Sequence, residues 1–182
     1  DNVTEVEIMT MGGPGGSDSA NVDQGSSANI IDEDGTYSDK TYESTGDDEN
    51  ALRVDGAEVT LDGITVTKSA GSSSNVENGD FYGVNAALLA TNGATVTIKD
   101  AEIASDAQNG NGIFSYGSGT TVNVSDTKIT TTKDNSGGIQ TTGGGTTNAS
   151  NLTVNTAGNS SAAIRSDRGG GTVNVDGGTY TS

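Results

Sequence analysis

A stretch of about 25 residues recurs five times in this chain, and that periodicity restricts its fold more than any other feature. The segments are VDGAEVTLDGITV (54–66), TNGATVTIKDAEI (91–103), GSGTTVNVSDTKI (117–129), GGGTTNASNLTV (143–154) and RGGGTVNVDGGTY (168–180). Each passes from a Gly-rich turn through an apolar-x-apolar step and a short polar corner to a further apolar position. One column of the alignment is Leu61, Ile98, Val124, Ala149 and Val175, with spacings of 37, 26, 25 and 26. Two residues earlier stand Val59, Val96, Val122, Thr147 and Val173, and five residues later Val66, Ile103, Ile129, Val154 and Tyr180. A fourth column precedes each turn: Leu52, Leu88 or Leu89, Ile113, Ile139 and Ile164. The single spacing of 37 is one ordinary repeat plus an inserted loop of about 11 residues, placed in GSSSNVENGDF (71–81).

Inside each segment apolar residues alternate with Thr, Asn or Asp, the two-residue period of a half-buried strand. Gly, Asn and Asp separate successive strands, and these residues accept the left-handed backbone of tight corners. The i, i+3, i+4, i+7 spacing of an amphipathic helix never lasts more than a turn. Short strands returning every 25 or 26 residues, three turns per return, describe a parallel β-helix of about five coils over residues 50–182. A β-sandwich also has short strands and frequent turns, but gives no reason for this period.

Composition alone points elsewhere. Val, Ile, Leu and Phe make up 31 of 182 residues and the formal net charge is −17, a combination typical of disordered chains. The ordering of the apolar residues overrides that average, because a thin β-helix coil needs only about five inward aliphatics. The charge is also uneven. Residues 1–50 carry 13 acids and one base, Lys40, whereas residues 51–182 carry 12 acids and seven bases. Residues 1–49 read as an acidic segment acting as a cap or assembly arm, with a strand in VTEVEIMTM (3–11), a loop in 11–27 and an irregular first coil in 28–39. The last repeat is complete at Tyr180-Thr181-Ser182. That end reads first as a cut through a longer solenoid, and second as a surface that accepts a strand from another copy.

The chain has no Cys and no His, which excludes disulfides, thiolate chemistry, His-ligated zinc and Ser-His or Cys-His catalysis. Eight Lys and Arg against 25 Asp and Glu leave no basic footprint for nucleic acid. No apolar run reaches the length of a membrane-spanning helix.

Candidate sites are few. Asp32-Glu33-Asp34 and Asp47-Asp48-Glu49 offer hard oxygen ligands, so Asp32, Asp34, Asp47, Asp48 and Glu49 are the candidate metal ligands, with calcium as the cation. Neither cluster follows the spacing of a calcium loop, and a solvated acidic loop is the simpler reading. Asp62, Asp100, Asp126, Asn151 and Asp176 fall at or beside the same corner of successive repeats, where Asx side chains bond their own backbone. Phe81 and Tyr82 beside the insertion, with Phe114 and Tyr116 one repeat later, form the candidate ligand-binding patch, although ring packing would account for them too. Arg165 and Arg168 bracket Asp167, an arrangement open to structural pairing or to base chemistry. Thr-x-Thr pairs such as Thr95/Thr97 occur also in ice-binding solenoids, but here the rows are interrupted.

The repeats in 135–182 and in NAALLATNGATVTIKDAEI (85–103) resemble the pectate-lyase-like, right-handed parallel β-helix repeats of uncharacterised bacterial cell-surface and adhesin proteins. The resemblance spans about residues 50–182. It implies an all-β, right-handed β-solenoid, a secreted or cell-surface location, and no catalytic residues to carry over. The expected function is a non-enzymatic extracellular structural or adhesive module. Its expected partners are further copies through the coil ends, or a surface glycan or protein. The alternative is a carbohydrate-active β-helix, either a polysaccharide lyase using Arg165 as base or a glycan-binding module.

Overall fold

A computed structural model describes residues 22–182. The strand expected at 3–11 and most of the loop expected at 11–27 lie outside these residues. The chain winds as a parallel β-solenoid of six coils, its strands forming three six-stranded sheets and a small two-stranded pair. Sheet 1 contains Ile30–Ile31, Leu52–Asp55, Leu88–Thr91, Ile113–Tyr116, Ile139–Thr142 and Ile164–Ser166. Sheet 2 contains Gly35–Ser38, Glu58–Asp62, Thr95–Lys99, Thr121–Ser125, Gly145–Ser150 and Gly171–Asp176. Sheet 3 contains Thr41–Ser44, Thr65–Lys68, Glu102–Ser105, Lys128–Thr131, Thr153–Thr156 and Thr179–Thr181. Each strand pairs only with its equivalents in the coils before and after, always in parallel.

The sequence columns are the structural columns. Leu61, Ile98, Val124, Ala149 and Val175 are register partners through sheet 2, as are Val59, Val96, Val122, Thr147 and Val173. Val66, Ile103, Ile129, Val154 and Tyr180 run through sheet 3. In sheet 1 the inward column takes Leu88, which meets Leu52 and Ile113, while Leu89 points outward. Nearly all of these side chains are buried in one core that runs along the axis. At about 25 cal/mol per Å² of apolar area removed from water, an inward Leu or Ile contributes roughly 1.5–3 kcal/mol.

The stack starts earlier than the sequence columns do. Residues 26–50 form a complete first coil: Gly35–Ser38 pairs with the strand at Glu58–Asp62, Thr41–Ser44 with Thr65–Lys68, and Ser26–Ser27 with Glu49–Asn50. Ile31 joins the core opposite Val54, but the other positions that match the aliphatic columns are Gly35, Tyr37 and Tyr42, opposite Val59, Leu61 and Val66. There rings and a glycine stand where the other repeats have aliphatics. The solenoid therefore extends N-terminal of residue 50, into the segment expected as a cap or assembly arm.

The corner between sheets 2 and 3 has a left-handed residue in every coil: Asp39, Gly63, Asp100, Asp126, Asn151 and Gly177, with φ of 53°, 50° and 51° at Asp100, Asp126 and Asn151. Asp62 and Asp176 stand one residue before that seat, which glycine occupies in their coils. Short polar side chains tolerate this backbone and can bond locally, and Asn151 Nδ2 donates to Asp126 Oδ1 in the coil before at 2.6 Å.

One segment breaks the period. The insertion carries a seven-residue helix, Val76–Tyr82, whose N-cap Asn75 accepts from the Asn78 amide. Gly83, at φ 87°, ends it in the left-handed conformation that favours glycine.

If the inward column is the core, Ile113→Ala, at a fully buried position, should cost about 2–5 kcal/mol in denaturant unfolding. Thr97→Ala, on the outward face of sheet 2, should stay within about 0.5 kcal/mol.

Candidate functional site

Outward side chains of a single-layer sheet normally meet solvent. In sheet 1 the outward row Arg53, Leu89, Phe114, Gln140 and Arg165 is in register from coil to coil, and the inserted helix lies across its middle. Gln140 Nε2 donates to the Asp80 carbonyl at 2.9 Å and Thr142 Oγ1 to the Phe81 carbonyl at 2.6 Å. Asn109 Nδ2 donates to Asp80 Oδ1 at 2.8 Å, Gln24 Nε2 to the Tyr82 carbonyl at 3.1 Å and Asn50 Nδ2 to the Gly83 carbonyl at 2.9 Å. Polar side chains far apart in the sequence thus hold one short helix. Beneath it Ala86, Leu89 and Phe114 make a second small apolar cluster. Gly79 allows the close approach, since a Cβ there would fall 2.4 Å from Asn109 Cγ.

The four aromatic residues singled out in the sequence meet at this roof, in different roles. Phe114 is fully buried and packs under the helix. Tyr82 and Tyr116 meet edge to face, with ring centroids 5.6 Å apart. Phe81 lies under the Arg168 guanidinium, 4.0 Å from the ring centroid, and Arg168 also reaches Glu77 at 3.4 Å. The surface therefore offers Phe81, Tyr82 and Tyr116, all partly exposed, while Phe114 is sealed inside.

The Arg165–Asp167 pair is real and close, at 2.6 Å. Beside it lies Asp80, which the sequence did not single out. Burial pushes the Asp80 carboxyl above its ordinary range. The Asn109 hydrogen bond and Arg165 oppose that rise, while Asp167 and Glu77 add to it. Only the interruption of the repeat could have pointed to Asp80, because its partners Asn109, Gln140 and Arg165 come from three later coils.

The acidic clusters separate. Asp32 and Asp34 lie at the exposed corner between sheets 1 and 2 of the first coil, where Asp34 Oδ1 accepts from the Glu58 amide at 2.8 Å. Asp47 and Asp48 accept from the backbone amides of Ser72 and Ser74, at 2.8 and 2.7 Å. Glu49 accepts from Ser44 Oγ at 2.5 Å and from the Gly46 amide at 3.0 Å. The Ser44 hydrogen bond is the main cause that holds its carboxyl below the ordinary range. Among the described residues no three acidic groups gather to hold a metal ion.

A cation does sit beside Asp47, Asp48 and Glu49, and it is Lys68. This fully buried side chain belongs to an inward polar column of sheet 3 that runs Ser44, Lys68, Ser105, Thr131, Thr156. Its ammonium donates to the Gly46 carbonyl at 2.8 Å and to Ser44 Oγ at 3.4 Å. Burial lowers its pKa to about 8, against the pull of Glu49, Asp47 and Asp48. A buried charge needs such partners to be tolerated. On the outer face of sheet 2, a shallow groove of about 390 Å³ is lined by Thr97, Asn123, Ser125, Asn148, Ser150 and Asp176. There Asn174 donates to Asn148 at 2.7 Å and Asn148 to Asn123 at 2.9 Å, an amide ladder along the axis.

Two outcomes follow. Lys68 titrates near 8 when folded and at its ordinary 10.5 when unfolded, so between those values the unfolded chain holds more protons and stability rises with pH. Chemical denaturation from about pH 7 to about pH 9.5 should show that rise, and Lys68→Met should flatten it. Gly79→Ala should lift the helix from Asn109 and cost about 1–3 kcal/mol, with a change in tyrosine fluorescence from the Tyr82–Tyr116 contact. Comparison with protein-family models, with curated proteins and with solved structures gives no match to this chain.

Proposed function

We propose that this chain is a non-enzymatic structural module of a bacterial surface protein, of the pectate-lyase-like β-helix kind, whose work is reach and contact outside the cell. The observation that carries this reading is how its charged groups are used. Asp34, Asp47, Asp48 and Asp134 each accept a backbone amide from the following coil. Glu49 and Lys68 serve the inside of the first turns. Side chains spent on joining coils make a stiff rod, and at about 4.8 Å per coil the six coils span roughly 24 Å between the first and the last.

Contact through the coil ends is part of the proposal. In the sixth coil Val175, an inward-column residue, is 42% exposed, and in the first coil Ile30, in register with the outward Arg53, is 57% exposed. The strands of these two coils each have one unpaired edge among the described residues, and such edges accept further strands. Electron microscopy of the purified chain at high concentration should show end-to-end filaments that Val175→Lys shortens. Monodisperse single particles at every concentration would contradict the assembly.

A second reading, a carbohydrate-active protein, is favoured by one observation: Asp80, Arg165 and Asp167 gather beside the exposed Phe81–Arg168 stack. Cleavage of polygalacturonate in the presence of calcium, abolished by Arg165→Ala, would establish that reading and overturn the structural one.

A further inference from the structure

The inserted helix buries more hydrogen-bond acceptors than donors. Under it lie the Asp80 carboxyl, the Asn109 side chain and the Gln140 side chain; Asn109 is fully buried and Gln140 is 1% exposed. The two amide nitrogens are committed: Asn109 Nδ2 to Asp80 Oδ1 and to the Asn135 carbonyl, and Gln140 Nε2 to the Asp80 carbonyl. Asn109 Oδ1 and Gln140 Oε1 are both shut off from solvent and accept no hydrogen bond. An orphaned buried acceptor costs roughly 1–3 kcal/mol. Asn109 already spends its nitrogen on an Asp80 carboxyl oxygen, so its orphaned oxygen is only an amide's width from that contact, while Gln140 holds the Asp80 backbone carbonyl. The one group here that can change from acceptor to donor is the Asp80 carboxyl, by taking a proton.

We propose that the inserted helix is a proton-sensitive roof, held down on sheet 1 when Asp80 is protonated and loosened when Asp80 is ionised. The charged groups around Asp80 fit this role. Glu77 faces it from its own helix, and Arg165 and Asp167 face it from the last strand of sheet 1 and the turn that follows. Arg165 is already paired with Asp167, and Arg168 is engaged by Phe81 and Glu77. Arg165 still favours an ionised Asp80, but Asp167 and Glu77 disfavour it and burial outweighs the attraction. Tyr82 and Tyr116 also adjoin the roof.

Linkage sets the direction. With the roof raised, Asp80 is in water and titrates as an ordinary carboxyl. With the roof closed, burial makes the carboxyl hold its proton more tightly. Protons therefore favour closure, and closure weakens as pH rises through the closed-state value. A raised roof uncovers Ala86, Leu89 and Phe114, an apolar strip next to Arg165 and Arg168, so a rise in pH would present a contact surface that acid conceals.

Hydrogen exchange of the amides of residues 76–83, in the full chain and corrected for intrinsic exchange chemistry, tests the roof from about pH 7 to about pH 4.5. Protection should increase as pH falls. The total gain should be about tenfold for each pH unit by which Asp80 titrates above an ordinary carboxyl. Asp80→Asn should be protected at both ends of the range and lose the slope, whereas Glu77→Gln should keep it. Flat or reversed protection in the wild type, or an unchanged slope in Asp80→Asn, overturns the proposal. Carboxyl-carbon NMR titration of Asp80 in the wild-type chain tests it without any variant: an ordinary or lowered value overturns it, and a raised one supports it.

Discussion

Each inward side chain of this solenoid is covered because the neighbouring coils place an equivalent side chain directly above and below it. That register is the constraint on which the rest of the structure depends. Parallel pairing at about 4.8 Å lines up Leu61, Ile98 and Val124 as one continuous apolar row. A row needs few residues per coil, so a chain poor in aliphatics and rich in Gly, Thr and Asn still closes a core. The cost is that no coil is stable alone, and each is held by its neighbours.

The corners and the polar interior follow from the same stacking. A corner that turns at a left-handed residue in one coil must turn at the same place in the next, which explains the row Asp39, Gly63, Asp100, Asp126, Asn151, Gly177. On the inner face of sheet 3 polar side chains stack as a column, and Lys68 is its charged member. Its nearness to Asp47, Asp48 and Glu49 gives the acid-rich first turns an internal counter-charge. The insertion is the place where this economy changes. There the outward row of sheet 1 is covered as well, and among the polar groups caught under the cover Asn109 Oδ1 and Gln140 Oε1 accept no hydrogen bond.

How much of this was legible depended on the length scale. Alternation and period placed the four inward columns of the later coils, with only Leu88 or Leu89 left open, because burial of one sheet face leaves a two-residue mark in the sequence. The first coil was read over 28–39 only as irregular, because its inward Gly35, Tyr37 and Tyr42 do not match the aliphatic columns. The insertion was placed correctly at 71–81, but the helix in it was invisible, since seven residues are too few to show a helical period. The acids at 47–49 were read first as a solvated loop and second as calcium ligands. That Lys68 supplies their counter-charge was written in the column position it shares with Ser105 and Thr131, and only three-dimensional stacking gives that position meaning. Asp80 left no local signal at all, because its partners are 29 to 87 residues away.

The central claim is in-register parallel stacking, and backbone NMR contacts between strands test it most directly. The account expects amide and Hα contacts linking Val96 with Val122 and Ile98 with Val124, pairs 26 residues apart, running in the same direction through all three sheets. Contacts of antiparallel type, joining strands 8 to 12 residues apart as in a sandwich, would contradict it.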